Sequence, residues 1–250
     1  MTGPSASTEL NDFSCIADVY DELVDWAPYG LWIDRLEEQL REHGLRRGHW
    51  ILDAACGTGL SSLPWLKRGY RVVGVDHSEA MLRRARQRAR RDGHRLPVVR
   101  QDLLELSLRR EFDAALCIHS GLDYLLEEDE LARALRSLRG CLRAGGLLAF
   151  DKCLDVPAFY QENYTDHRRL SCGTADFHYR WDRERRIMEQ RCTVRRTDGG
   201  RPERTTVVYH LKATPPERLQ RMLEEAGFET EEPVRPFKVT DPGFGVYRAV

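Results

Sequence analysis

Long apolar runs are missing from this chain. No segment approaches the ~18–20 apolar residues that cross a bilayer as a helix, so no membrane span is expected. Residues 1–9 lack the basic-then-apolar order of a secretory signal; being small and polar, they are expected to form a disordered tail, and the protein to be cytoplasmic. An excess of charge is missing too. The 39 basic and 40 acidic residues leave a net charge of −1, which offers none of the attraction that nucleic-acid binding rests on. Lysine is scarce, with only Lys67, Lys152, Lys212 and Lys238, so arginine carries most of the positive charge. The 7 cysteines form no C-x-x-C pair and are odd in number. That pattern argues for reduced, buried thiols and against a zinc site, and no other metal site is expected. Internal repeats and low-complexity segments are absent, so residues 10–250 are read as one domain.

What is present is organised around W-I-L-D-A-A-C-G-T-G, Trp50 to Gly59. Trp50, Ile51 and Leu52 form a short apolar run of the kind found in buried strands. Asp53 ends it with a carboxylate. Ala54 and Ala55 lead into a turn with Gly57 and Gly59, and a helix start follows. Glycine lets the backbone take positive φ and lets a ligand lie against bare peptide. Gly57 and Gly59 have the spacing of the dinucleotide fingerprint G-x-G-x-x-G, but its third position holds Ser62, and Asp53 is no part of it. By itself the turn also suits any α/β protein. The stretch resembles motif I of the class I S-adenosylmethionine-dependent methyltransferases, D/E-x-G-x-G-x-G, with Ala55 in place of the first glycine. A methyl group fits there if the local φ is negative.

Further motifs continue the resemblance in chain order. Asp76 closes the apolar run Val72 to Val75, about 20 residues past the glycine turn, where an acid can accept from both ribose hydroxyls of an adenosine ligand. D-H-S-E-A-M-L follows, with Ser78 as helix N-cap; His77 and Met81 lie at the site the resemblance implies, though Met81 also reads as ordinary core. Gln101, Asp102 and Leu103 follow a third strand. In the family, an acid here accepts from the adenine amino group while the next amide donates to the ring. Ile118 and His119 end a fourth strand, where open α/β sheets bind ligands. His119 reads as orienting an acceptor or taking a proton near neutral pH, or as a loop histidine bonded to backbone. Tyr124 lies just beyond, as a substrate-binding candidate.

Residues 10–46 read as a helical cap over Leu10 to His43, broken at Pro28. Its Tyr20-Asp21 and its aromatic trio Trp26, Tyr29 and Trp32 read as core-facing aromatics or as a lid. The arrangement is similar to the cap of glycine and deoxyamino-sugar N-methyltransferases, which implies Tyr20, Tyr29 and Trp32 near the cofactor and Tyr20 at the reaction. Residues 153–212 change to strand period: Phe177, Tyr179 and Trp181 alternate with His178, Arg180 and Asp182. With a hairpin signal at Asp198-Gly199-Gly200, the segment reads as an antiparallel insertion over the acceptor pocket. Tyr160, Tyr164, His178 and Arg180 are its substrate-binding candidates, and it reads equally as a dimer contact. Thr214 to Glu217 has the form of a capping box, and Gly145-Gly146 reads as a helix stop.

The resemblance implies a doubly wound, Rossmann-like, seven-stranded mostly parallel sheet with helices on both faces. It implies S-adenosylmethionine as cofactor, S-adenosylhomocysteine as product, and a small-molecule acceptor, in a monomer or homodimer. Three acids after three successive strands would repel a pyrophosphate, which argues against an NAD oxidoreductase. An amine acceptor needs no base for its lone pair to attack; a phenol or alcohol would need one, for which His119 is the candidate. N-methylation leads on likeness. O-methylation and a non-transfer use of the cofactor such as cyclisation stay open.

Overall fold

A computed structural model describes residues 13–108, 111–155, 163–197, 203–236, 238 and 241–250. Eleven strands form two sheets among these residues. The larger is built from β1 (Trp50–Ala54), β2 (Arg71–Asp76), β3 (Val98–Arg100), β4 (Phe112–Cys117), β5 (Leu142–Phe150), β10 (Phe228–Glu232) and β11 (Gly245–Ala249). Its order is β10-β11-β5-β4-β1-β2-β3. All neighbouring pairs are parallel except those made by β11, which is antiparallel to both β5 and β10. Four of the five residues of β1 are buried, as a strand covered on both faces requires.

Helices cover the two faces. On one side lie α2 (Tyr29–Glu42), α3 (Ser62–Lys67) and α4 (Glu79–Arg91), which insert Trp32, Leu36, Trp65, Ala85 and Ala89. The arginines of α4 take its solvent side, since its buried residues are Met81, Leu82, Ala85 and Ala89. On the other side lie α5 (Glu128–Cys141) and α6 (Pro216–Glu225), whose Leu131, Leu135, Leu138, Leu219 and Leu223 are buried against the sheet. Each fully buried leucine of this kind contributes about 1.5–3 kcal/mol. No helix among the described residues is long and apolar enough to cross a membrane.

The second sheet is antiparallel, β6 (Thr165–Leu170), β7 (Gly173–Asp182), β8 (Ile187–Arg196) and β9 (Glu203–Lys212), in that order. Its inner face, with Ala175, Phe177, Tyr179, Val194 and Val207, packs on Ile16, Val19 and Leu23 of the N-terminal segment. The turn between β8 and β9, with Asp198-Gly199-Gly200, lies outside the described residues.

Several local expectations are corrected. The cap is no long broken helix: a 3-10 turn at Ser14–Ile16 and the single-turn α1 (Tyr20–Leu23) precede α2. The stretch before Pro28 packs on the antiparallel sheet described above while Asp21 bonds to Thr58 and Arg88, which a straight helix would not do. Gly145 and Gly146 do not stop α5, which ends at Cys141; they sit inside β5, beside a register shift in its pairing with β4. A Cβ at Gly146 would come within 3.0 Å of the Arg143 carbonyl oxygen. The start of α6 has Pro215 as N-cap with no side-chain hydrogen bond, so Thr214 caps nothing.

Candidate active site

A cavity of about 300 Å³ opens beyond the carboxyl ends of β1, β2 and β4. The glycine turn forms its floor. Gly57 has φ +53, and a Cβ built there meets nothing within 4 Å, so the cavity continues against bare backbone. Gly59 has φ +78 and serves packing: a Cβ there would come 3.2 Å from the Ala85 Cβ on α4. Ala55 has φ +55, not the negative angle expected of it. It occupies the left-handed region that motif glycines are suited to, at a cost of about 1–2 kcal/mol.

Asp76 braces this turn. Its Oδ2 accepts from the Gly57 amide at 2.9 Å and its Oδ1 from the Ser78 amide at 2.9 Å. Ser78 in turn caps α4, accepting from the Met81 amide at 3.3 Å. Asp53 lies beneath the turn with 1% of its surface exposed. Its Oδ2 accepts from the Ser61 hydroxyl at 2.7 Å and from the Ser62 hydroxyl, while Oδ1 has no partner. Burial pushes its carboxyl up to about 6, against the two serine hydroxyls, which lower it. On the far wall the Asp102 Oδ1 accepts from the Leu104 amide at 2.9 Å. Gln101 holds the same loop by donating to the Ser107 hydroxyl at 2.9 Å and accepting from the Ser107 amide at 3.1 Å.

The opposite end of the cavity is aromatic, with Phe13, Tyr20, Tyr29, His119 and Tyr124 in its walls. The segment carrying Tyr20 is tied to the glycine turn. Thr58 donates its hydroxyl to Asp21 at 2.6 Å, Arg88 forms an ion pair with Asp21, and the Ser14 and Ser78 hydroxyls lie 2.9 Å apart. Burial holds the phenols of Tyr20, Tyr29 and Tyr124 well above their usual pKa, so all three keep their protons. The Tyr29 hydroxyl is hydrogen-bonded to His119 Nδ1. The phenol keeps its proton and can either donate to Nδ1 or accept from it, so the bond orients the ring in either tautomer. Burial also pushes the His119 pKa down to about 4. The ring is boxed in by Trp26 and Trp32, with centroids at 5.5 and 5.6 Å.

Beneath His119 lies Asp151, at the end of β5 and 3% exposed. Its Oδ1 accepts from the His119 amide at 2.6 Å and its Oδ2 from the Ser120 amide at 2.8 Å. Both of those residues are left-handed, with φ +68 and +62, and the carboxylate holds this pair of unfavourable conformations in place. Burial, aided by the charge of Asp123, pushes the Asp151 carboxyl up to about 7. Asp123 itself is paired with Lys152, at 2.8 Å, and both are buried.

Of the residues singled out in the sequence, Tyr20, Tyr29, Ala55, Gly57, Asp76, His77, Met81, Gln101, Asp102, Leu103, Ile118, His119 and Tyr124 line this one cavity. Asp53, Ala54, Gly59 and Trp32 do not: they form the layer behind it, and Trp32 is fully buried. His178 and Arg180 are not brought to the cavity. Both lie on the exposed face of β7, and Arg180 pairs with Glu189 across the strand at 2.9 Å. The aromatic residues between them turn inward instead, because the sheet packs its apolar face on the N-terminal segment. Tyr164 is exposed and is not part of the cavity lining either, and Tyr160 lies outside the described residues. The reading missed Asp151, whose signal was available: it is a further acid at the carboxyl end of a strand. Phe13 and Thr58 were also missed, with no comparable signal.

A methyltransferase-domain family model matches residues 51–146. A putative methyltransferase of Geobacillus sp. (strain WCH70) is 35% identical over 53% of this chain and 53% of its own, so this alignment spans about half of that relative. The glycine/sarcosine N-methyltransferase of Aphanothece halophytica is 28% identical over 92% of this chain and 86% of its own. The solved structure of a sugar N-methyltransferase from Streptoalloteichus sp. shares the fold, with a TM-score of 0.76 at 24% identity over 100% of this chain and 97% of that one.

Proposed function

We propose that this chain acts as a class I S-adenosylmethionine-dependent methyltransferase and methylates an amine nitrogen of a small-molecule acceptor. The observation that carries the reading is the state of His119. Its Nδ1 is hydrogen-bonded to the Tyr29 hydroxyl, and burial pushes its pKa down to about 4. A group in that state is a poor base for a phenol or alcohol, whose proton must leave as the bond forms. A neutral amine attacks with a lone pair already in hand. The extra proton of the methylated nitrogen can leave to solvent afterwards.

The cavity fits the cofactor. The open face of Gly57 leaves room against backbone, and the lining carboxylates complement a cofactor of net positive charge. Asp76 would accept from the ribose hydroxyls, and Asp102 with the Leu103 amide would meet the adenine. Bound there, the cofactor supplies a methyl group already activated by a positively charged sulfur. The remaining task is placement, which for well-oriented partners is worth about 7–11 kcal/mol of barrier. Tyr20, Tyr29 and Tyr124 wall the space for the acceptor and keep their protons as donors. The Tyr29 bond holds the His119 ring, and Asp151 holds its backbone. The names of the glycine/sarcosine and sugar N-methyltransferase relatives support an amine acceptor.

The test is transfer of a labelled methyl group from S-adenosylmethionine to paired amines and phenols of matched shape. N-methyl products are expected. Products methylated only on oxygen would overturn the reading.

A further inference from the structure

The charges around the cavity are of one sign. Its lining includes the carboxylates Asp76, Asp102 and Glu130 and, among the described residues, no lysine or arginine. Of the residues outside the description, 1–12 and 156–162 contain neither in sequence, and the arginines there are Arg109, Arg110 and Arg201. Cations beside the site are committed to protein partners: Arg100 donates to the His77 carbonyl oxygen at 2.9 Å. Arg88 is paired with Asp21 and donates to the Thr58 carbonyl oxygen at 3.0 Å. Lys152 is fully buried between Asp123 and the Lys212 carbonyl oxygen.

The aromatic end is the part left for the acceptor, and the same sign prevails there. Asp151 lies directly under the His119 and Ser120 amides, buried and with no cation in its own hydrogen bonds. His119 is neutral. The other polar groups in the walls are the phenols of Tyr20, Tyr29 and Tyr124. We propose that this pocket selects amines on an uncharged framework and rejects amines that also carry a carboxylate or phosphate, so that free amino acids are not its substrates. The proposal rests on the amine reading and narrows it.

Two physical arguments support it. An anionic group brought into the aromatic end loses its water and meets no cation in the described lining, and Asp151 beneath it, in the fraction that is ionised, adds repulsion in a poorly screened environment. The same field and the ring faces of the tyrosines attract an ammonium group. Selection of this kind works by repelling the wrong partner, which needs no tight fit to the right one. The cofactor is no exception. It brings a carboxylate, but with an ammonium and a sulfonium beside it, and its sum is positive.

The test uses the full chain with labelled S-adenosylmethionine and matched pairs that differ by one carboxylate. Suitable pairs are phenethylamine with phenylalanine, glycinamide with glycine, and an amino-sugar methyl glycoside with the corresponding aminouronic acid. The expected result is that at least one uncharged-framework amine is methylated, and that it exceeds its carboxylated partner by tenfold or more in kcat/KM. Equal or better transfer to the carboxylated members would overturn this inference and leave N-methylation standing. Transfer to phenols alone would overturn both. Transfer to no uncharged-framework amine would overturn the inference as well.

Discussion

Replacing Asp151 by asparagine tests the electrostatics of the site without an acceptor in hand. Asparagine copies the shape of the protonated acid and removes the charge. In the folded protein the Asp151 carboxyl titrates at about 7, against 3.8 for an unperturbed carboxyl. The folded state therefore binds this proton more tightly than the unfolded state. The resulting stabilisation is complete below about pH 4 and is lost as the pH rises through 7. At about 1.4 kcal/mol per pH unit, Asp151 withdraws up to about 4 kcal/mol across that window. The buried acid Asp53 acts in the same sense, with its carboxyl at about 6. His119 acts in the opposite sense: its pKa falls from 6.5 to about 4, so its stabilisation is present above 6.5 and lost as the pH falls. The wild-type profile mixes these terms, but the difference between wild type and Asp151→Asn isolates one. Urea unfolding at pH 4.5, 6 and 8 should show the variant gaining on wild type by about 2–4 kcal/mol from the first pH to the last. A difference independent of pH would refute the assignment of a buried, uncompensated charge to Asp151.

Three further outcomes follow from the geometry. Asp76→Ala removes the acceptor of the Gly57 and Ser78 amides and the group expected to hold the ribose; at about 1.5–3 kcal/mol per charged hydrogen bond, calorimetry should record a loss of S-adenosylmethionine affinity of at least about a hundredfold, and an unchanged Kd would remove Asp76 from the site. Ala55→Gly relieves a left-handed alanine of about 1–2 kcal/mol of strain against about 0.4–1 kcal/mol of added chain entropy, so the denaturation midpoint should rise slightly, and a clear fall would show that the Ala55 methyl is needed. Lys152→Met strands Asp123 in the interior and should cost about 3–5 kcal/mol; the double variant with Asp123→Asn should recover most of that, and failure to recover would mean that the pair is not what Lys152 serves.

The glycine turn and the acids that close β1, β2 and β3 were legible because each is a local statement. An apolar run, a carboxylate and a turn follow one another within ten or so residues, and backbone geometry leaves little choice about where they point. The insertion was legible as strands for the same reason. Which of its faces looks inward was not. Parity along β7 separates His178 and Arg180 from Phe177 and Tyr179, but the partner that picks a face, the segment Ile16 to Leu23, lies more than a hundred residues away in sequence. The cap failed likewise: apolar residues at helical spacing were there, yet the chain between Phe13 and Pro28 packs on the antiparallel sheet while Asp21 bonds to Thr58 and Arg88.

By itself, then, the sequence determined the order of strands and helices, the place of the acids at the strand ends, and the sign of the charge available near the site. These depend on residue type and short spacing alone. Tertiary structure decided the chemistry of His119. A histidine at the end of a strand can be base, acid or spectator. Here Tyr29, 90 residues away, holds its ring by the bond to Nδ1, and Asp151, 32 residues away, holds its backbone. Burial by Trp26 and Trp32 keeps it neutral. A proton's position depends on which groups meet in space and how much water they exclude, and those contacts exist only after the chain has folded.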